Sequence, residues 1–331
     1  MDHKSLPDER FCATAVAHPN IAFIKYWGNR DDALNLPSNG SISMNLNNLE
    51  AQTKVTFTPG LKSDFLSINH TTADREALER VSKILQIIRH KAGITLFAKV
   101  ESVLNFPIGA GIASSAAGFA ALAMASVHAA GIEMNEAEIS RLARVGSGSA
   151  CRSVPDGFVE WHMGDSDETS FASTIFPSDH WDLYDAIVVL LNKPKKISSR
   201  AGHLLAHYSP LQEARVQDTP RRLEICRKAI RERDFSLLAN IIELDSNMMH
   251  AIMMTSNPPL QYWEVGSLAI MREVPLWRSE GLHVAYTLDA GPNVHLICQK
   301  EDVNVVRERA FALVTPQEIL ISKVGGSAHI V

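Results

Sequence analysis

Cysteine is scarce in this chain: four residues in 331, Cys12, Cys151, Cys226 and Cys298, with no CxxC pair and no neighbouring histidine cluster. That spacing argues against a disulfide framework and against a thiolate zinc site, and the simplest expectation is a reducing, cytoplasmic setting. An excess of positive charge is also missing. The 32 Lys and Arg against 37 Asp and Glu leave a net charge of −5, so no global field is available to neutralise a nucleic-acid backbone. An anionic small molecule would need a local basic cluster instead. Long apolar runs are lacking as well. The most apolar stretch, residues 116–132, is Ala-rich and interrupted by His128, and the opening MDHKSLPDER is polar, so neither a membrane span nor an export signal is expected. There is no internal repeat and no low-complexity tract.

What is present is ordinary soluble-protein composition, 46 % hydrophobic and 21 % charged, in a chain long enough for two domains. Alternation in AQTKVTFTP, with Val55 and Phe57 on one face and Thr56 and Thr58 on the other, predicts a half-buried strand ending at Pro59-Gly60. Leu78, Val81, Ile84, Leu85 and Ile88 recur at three-and-four spacing and predict a helix over 74–91, closed by Ala92-Gly93. LFAKVES reads as a strand entering a Gly-rich loop, after which the Ala-rich run from Ser114 reads as a closely packed helix. AIVVLL near Tyr184 has the continuous apolar character of a buried strand and marks a boundary within 182–186. Helices are predicted over 223–230, 235–254, 260–280 and 302–313, with strands HVAYTLDA and NVHLICQ around the turn Ala290-Gly291-Pro292, so the second half mixes α and β elements.

Five constellations carry chemistry. PIGAGIASSAAG (107–118) sends a glycine-rich loop into a helix N-terminus bearing Ser114 and Ser115. Gly109 and Gly111 let the backbone close on an anion, and free N–H groups at the helix start favour phosphate; a plain turn with a serine cap is the alternative. GSGSACRS (146–153) joins Ser147, Ser149 and the planar fork of Arg152, suited to a carboxylate or phosphate, or else forms a flexible connector. LNKPKKISSRAGH places Lys193, Lys195, Lys196 and Arg200 around Ser198 and Ser199, either a solvated face or an anion site. Asp289, closing the strand of YTLDAGPN, fits a base or an Asx-turn residue. Lys25, between Ile24 and the rings of Tyr26 and Trp27, is expected to occupy a partly apolar site that requires an acidic partner, with Asp289 the nominee. A snorkelling lysine at a strand edge is the alternative.

In this order, HPNIAFIKYWGNRD, NFPIGAGIASSAAGFAAL, GSGSACRS and YTLDAGPN together resemble the GHMP kinase superfamily, and within it the branch of decarboxylases acting on phosphorylated mevalonate. The resemblance implies an α+β fold. It comprises an N-terminal domain of the ribosomal-protein-S5 kind (1–184), a ferredoxin-like C-terminal domain (185–331) and an active site in the cleft between them. It implies ATP and Mg2+ as co-reactants, phosphorylation of a tertiary 3-hydroxyl, departure of phosphate and loss of CO2, in a homodimer without membrane or nucleic-acid partners. Asp289 would orient or deprotonate the hydroxyl, Lys25 would hold Asp289 ionised, and Arg152 would clamp the substrate carboxylate. Gly109, Gly111, Ser114 and Ser115 would hold ATP phosphates, with Ser115 a ligand for Mg2+. The remaining substrate contacts would come from Asn20, Tyr26, Trp27, Asn29, Ser147, Ser149, Ser199, Arg200 and His203.

Two places depart from the pattern of the diphosphate-using enzymes. The position after Trp-Gly is asparagine, Asn29, where lysine is usual, and the Ser-Arg loop continues as Ala201-Gly202-His203 rather than Asp-Gly-Met. Both belong, by the resemblance, to the pocket for the 5-phosphate end. Losing a cation there favours mevalonate 5-phosphate over the diphosphate, unless Arg30, Lys193, Lys195, Lys196 or Arg200 compensates. The expectation is therefore ATP-dependent decarboxylation of mevalonate 5-phosphate to isopentenyl phosphate. The alternatives are the diphosphate reaction giving isopentenyl diphosphate, and a kinase that stops at the 3-phosphate.

Overall fold

The computed structural model describes residues 11–107, 112–191 and 198–331. Strand Ala51–Thr58 alternates as its sequence predicts, with Ala51, Thr53, Val55 and Phe57 buried and Gln52 and Lys54 facing water. It lies inside a six-stranded sheet whose spatial order is His329–Ile330, Cys12–Ala17, Ala51–Thr58, Phe97–Leu104, Phe65–Ile68 and Thr71–Thr72. All neighbours are antiparallel except Phe65–Ile68 beside Phe97–Leu104. A parallel pair needs a crossover, and helix Arg75–Ala92 supplies it. That helix starts where Asp74 accepts the Ala77 N–H and ends at Gly93, whose φ of 66° lets its N–H turn back to the Arg89 carbonyl.

Helix Ser114–Ala129 packs on strands Cys12–Ala17 and Ala51–Thr58 and buries most of its alanines. Small side chains allow this close approach, which is why the helix shows no polar face. A second sheet runs Ala172–Phe176, Phe158–Trp161, Ser41–Asn45, Asn20–Ile24. Every residue of Asn20–Ile24 is buried, because helices Gln212–Glu232 and Phe235–Met254 lie against it. Ile21, Phe23 and Ile42 there share one apolar cluster with Leu223, Ala229, Leu238 and Ile242.

The third sheet has the order Val284–Thr287, Val294–Gln299, Leu183–Val189, Glu318–Lys323, all antiparallel. Numbered along the chain this is 2-3-1-4 with helices in the first and third connections, the ferredoxin-like arrangement. Ala186, Val188 and Leu296 face helices Val265–Ser279 and Val303–Val314, whereas Ile187, Ala285 and Ile297 face the long helices of the interior. The chain then returns to pair Ile330 with Ala15 in the first sheet.

Two helix boundaries differ from expectation. The helix predicted over 223–230 begins at Gln212, because its inward positions in the first half are polar: Gln212, Arg215, Thr219 and Arg222 are buried at helical spacing but carry no hydrophobic signal. The helix predicted from 260 begins at Val265, where Glu264 and Ser267 form a reciprocal cap.

Candidate active site

The ends of these elements converge on a cavity of about 410 Å3 whose walls include Lys25, Tyr26, Trp27, Asn29, Ser114, Ser115, Ser147, Ser149, Arg152, Ser199, Arg200, His203 and Asp289. Five segments distant in the sequence, 25–29, 114–115, 147–152, 199–203 and 289, are thus brought together. Asn20 stands behind the wall, and Gly109 and Gly111, with Lys193, Lys195 and Lys196, lie outside the described residues.

Lys25 follows the all-buried strand Asn20–Ile24, so its ammonium, 1 % exposed, is carried inward rather than snorkelling to water. It meets Asp289 Oδ1 at 2.7 Å. Burial pushes Lys25 below the ordinary lysine value, against the pull of Asp289. For Asp289 burial works upward, but the Lys25 ammonium beside it, with help from His295 and Arg152, holds the carboxyl below its usual range. The result is an ionised carboxylate, 28 % exposed, opening into the cavity. It can accept a proton from a hydroxyl or orient one, while the ammonium offsets negative charge developing next to it.

Arg152 is equally fixed. Its Nε and Nη2 donate to Asn20 Oδ1 at 3.2 and 3.0 Å, and its Nη1 to Ser41 Oγ at 2.7 Å. Asn20 in turn donates to Ser153 Oγ at 2.7 Å and the Ser149 carbonyl at 3.2 Å, locking the 146–153 loop to the strand. A guanidinium held this way presents a preformed fork to a carboxylate.

At another end of the cavity the aromatic residues form a stack. His203 lies over Tyr26 with ring centroids 4.1 Å apart and 4.5 Å from Trp27, and its Nδ1 accepts the Gly28 N–H at 3.0 Å. Two glycines make room: a Cβ on Gly148 would sit 2.6 Å from the Tyr26 ring, and one on Gly202 2.6 Å from Trp27. Tyr26 donates its hydroxyl to Asn29 Oδ1, and Asn29 Nδ2 donates to Asp32 at 2.9 Å. Asn29 therefore presents an amide already engaged with its neighbours rather than a positive charge.

Sequence reasoning missed Arg80, Glu76 and Asn35, which also line the cavity. Arg80 stacks its guanidinium 4.5 Å from the Phe119 ring centroid and donates to the Gly146 carbonyl at 2.9 and 2.7 Å. Burial, then repulsion from Arg200, lowers it to about 10. The only signal for it was a basic residue on the otherwise solvated side of a helix. Among the described lining residues, four cations (Lys25, Arg80, Arg152, Arg200) face two carboxylates (Glu76, Asp289), a local positive field in a chain of net charge −5. Ser114 and Ser115 open helix Ser114–Ala129 at the cavity wall, with Ser115 Oγ 3.3 Å from Ser147 Oγ. This combination of cations, hydroxyls and a helix N-terminus fits polyphosphate. Among the described residues no group of three or more His, Cys, Asp or Glu side chains could hold a metal ion.

Both halves of the chain resemble known proteins. The model of the diphosphomevalonate decarboxylase-like N-terminal domain matches residues 17–172, and that of the mevalonate 5-diphosphate decarboxylase C-terminal domain matches 186–328. The chain belongs to the mevalonate diphosphate decarboxylase family. Diphosphomevalonate decarboxylase of Saccharomyces cerevisiae is 38 % identical over 307 residues, covering 86 % of this chain and 77 % of the relative. The solved mevalonate diphosphate decarboxylase of Staphylococcus aureus superposes with a TM-score of 0.92 at 37 % identity, covering 97 % of this chain and 98 % of that one. A family structure described as a complex with MVAPP, AMPPCP and magnesium gives a TM-score of 0.91 at 35 % identity, covering 97 % and 99 %. The family expectation, and with it the two-domain α+β fold of the GHMP kinase type, holds. Among the described residues no helix is long and apolar enough to cross a membrane.

Proposed function

We propose that this protein is an ATP-dependent decarboxylase of a 5-phosphorylated mevalonate. The observation that carries the reading is the buried Lys25–Asp289 ion pair opening into a cavity that Arg152 also lines. Asp289 orients the 3-hydroxyl and takes its proton, Lys25 keeps that carboxylate ionised, and Arg152 fixes the carboxylate that departs as CO2. ATP phosphates lie along Ser114, Ser115 and the helix start. Mg2+, when bound, neutralises phosphate charge there, with Ser115 a ligand. Because the tertiary carbon becomes cationic as phosphate leaves, Trp27, 2 % exposed, and the stacked Tyr26 and His203 serve to keep water from it.

The named relatives support mevalonate 5-diphosphate as substrate and isopentenyl diphosphate as product more strongly than the monophosphate reaction. A second reading, mevalonate 5-phosphate, is favoured by one observation: Asn29 offers no charge where a terminal phosphate would be neutralised. Incubation with ATP and each substrate decides between them by kcat/KM, with CO2 and ADP released in equal amounts. Silence with both overturns the proposal, and ADP without CO2 identifies a kinase. A cytoplasmic homodimer completes the proposal, its assembly state readable by sedimentation.

A further inference from the structure

Lys25 and Asp289 belong to different sheets, one after strand Asn20–Ile24 and the other after strand Val284–Thr287, yet their charged atoms meet at 2.7 Å. Neither strand fixes that separation: among the described residues the two sheets share no pairing between named strands, and the one bridge joining their continuations, Leu46 to Val324, involves neither of these two strands. Helix Phe235–Met254 touches both. Asp245 Oδ2 accepts the backbone N–H of Lys25 at 2.6 Å. One residue on, Ser246 Oγ accepts the backbone N–H of Leu288 at 3.0 Å and donates to the Leu288 carbonyl at 3.4 Å. The Lys25 carbonyl is held too, by Arg215 Nη2 at 2.8 Å and Asn39 Nδ2 at 2.9 Å. Arg215 and Arg222 flank the carboxylate of Asp245, and all three side chains are at most 1 % exposed.

A buried Arg–Asp–Arg cluster is a poor way to gain stability, since leaving water costs such groups as much as their mutual attraction returns. Its position explains it better: every free polar group of the Lys25 main chain ends on it or on Asn39, which Arg215 itself contacts at 3.2 Å. We infer that the consecutive residues Asp245 and Ser246 clamp the main chains of Lys25 and Leu288 to one helical turn, and so set the distance between the Lys25 ammonium and the Asp289 carboxylate. They are positioning residues, acting through the pair without lining the cavity. The inference rests on the decarboxylase reading for its kinetic consequences, and on the geometry alone for its structural one.

Ser246→Ala is the cleaner probe, because it removes one oxygen and leaves Asp245 and its arginines paired. It leaves the buried Leu288 N–H without an acceptor, and the turn carrying Asp289 shifts. The expected result is a fall in kcat of ~10-fold or more with both KM values changed by less than ~3-fold, the pattern of a lost transition-state interaction. Among the described residues, the charged and titratable groups facing Asp289 are Lys25, Arg152, His250 and His295. With Lys25 drawn away, the acid limb of the kcat profile moves to higher pH. Ile242→Val, buried in the same helix but with no polar side-chain atom to bond either main chain, leaves kcat per folded molecule and the limb unchanged. Asp245→Asn keeps an acceptor for the Lys25 N–H and retains more turnover than Asp245→Ala; should both fail to fold, Ser246→Ala carries the test alone. A crystal structure of Ser246→Ala is expected to show the Lys25 Nζ to Asp289 Oδ1 distance beyond ~3.5 Å, the limit of a hydrogen bond. A pair still in contact with an unmoved acid limb, or a kcat within ~2-fold of the parent, overturns the clamp. If the parent protein turns over neither substrate, the decarboxylase reading fails while the crystallographic distance still decides the clamp.

Discussion

Removing either partner of the Lys25–Asp289 pair is expected to abolish most turnover, but the two losses should differ in stability. Lys25 is 1 % exposed and Asp289 28 % exposed, so the two charges have unequal access to water once alone. In Lys25→Met the orphaned carboxylate, 28 % exposed, can hydrate, and an apolar side chain of similar length takes the place of the buried ammonium, so the cost should stay at about 1 kcal/mol, the scale of a solvent-accessible ion pair. In Asp289→Ala the ammonium stays buried without its partner. That costs about 3 kcal/mol, the low end of the range for breaking a buried pair, because Asp245 also raises Lys25 and offsets part of the loss. By calorimetry Asp289→Ala should therefore melt on the order of 5 °C lower and Lys25→Met close to the parent. Both variants should lose ~100-fold or more in CO2 release, the scale of a removed electrostatic contact at a reacting oxygen. Lys25→Met carries a second signature. Asp289 is held low chiefly by Lys25, so its residual activity should show an acid limb moved to higher pH, with His295 and Arg152 limiting the shift. A Lys25→Met protein less stable than Asp289→Ala, or one with an unmoved acid limb, would refute this account of the pair.

His250 is buried and pushed down to about 3, by burial first and then by Lys25, so it stays neutral in the fold while the unfolded chain takes up a proton below about 6.5. Stability should then fall as pH drops from about 6.5 toward 3, by about 1.4 kcal/mol per pH unit, and His250→Gln should flatten that part of the melting-temperature profile. Asn29→Lys should raise kcat/KM on the diphosphate relative to the monophosphate by ~10-fold, measured side by side; no gain would show that this position does not sense the terminal phosphate. Gly148→Ala must displace the Tyr26 ring, since its Cβ would lie 2.6 Å from it, and should raise the KM for the mevalonate substrate while leaving the KM for ATP near the parent value.

How much of this was legible in the sequence depends on whether burial and hydrophobicity coincide. They do in helix Arg75–Ala92 and strand Ala51–Thr58, where apolar spacing reports the buried face directly. They part in helix Gln212–Glu232, whose inward row of Gln212, Arg215, Thr219 and Arg222 reads as solvated surface in a hydrophobic pattern. The site behaves in the same way. Lys25 and Asp289 could be paired on paper because each is polar in apolar company, Ile24 and Trp27 for one, Leu288 for the other. Arg80 and Asp245 sit among other polar residues in their helices, and only the three-dimensional packing shows that one faces the cavity and the other a neighbouring main chain.

The two ends of the cavity differ in how they are held, and the difference bears on specificity. Around Lys25, Asp289 and Arg152, main-chain and side-chain groups are tied to buried partners such as Asp245, Ser246, Asn20 and Ser41, so a substitution there disturbs several contacts at once. Around Asn29 the partners are Tyr26 and Asp32, and both Asp32 and Arg200 are exposed. A lysine or an asparagine can occupy position 29 with little cost to the fold, because the groups it would leave behind can hydrate. The charge at position 29 can therefore change independently of the contacts that hold Lys25, Asp289 and Arg152.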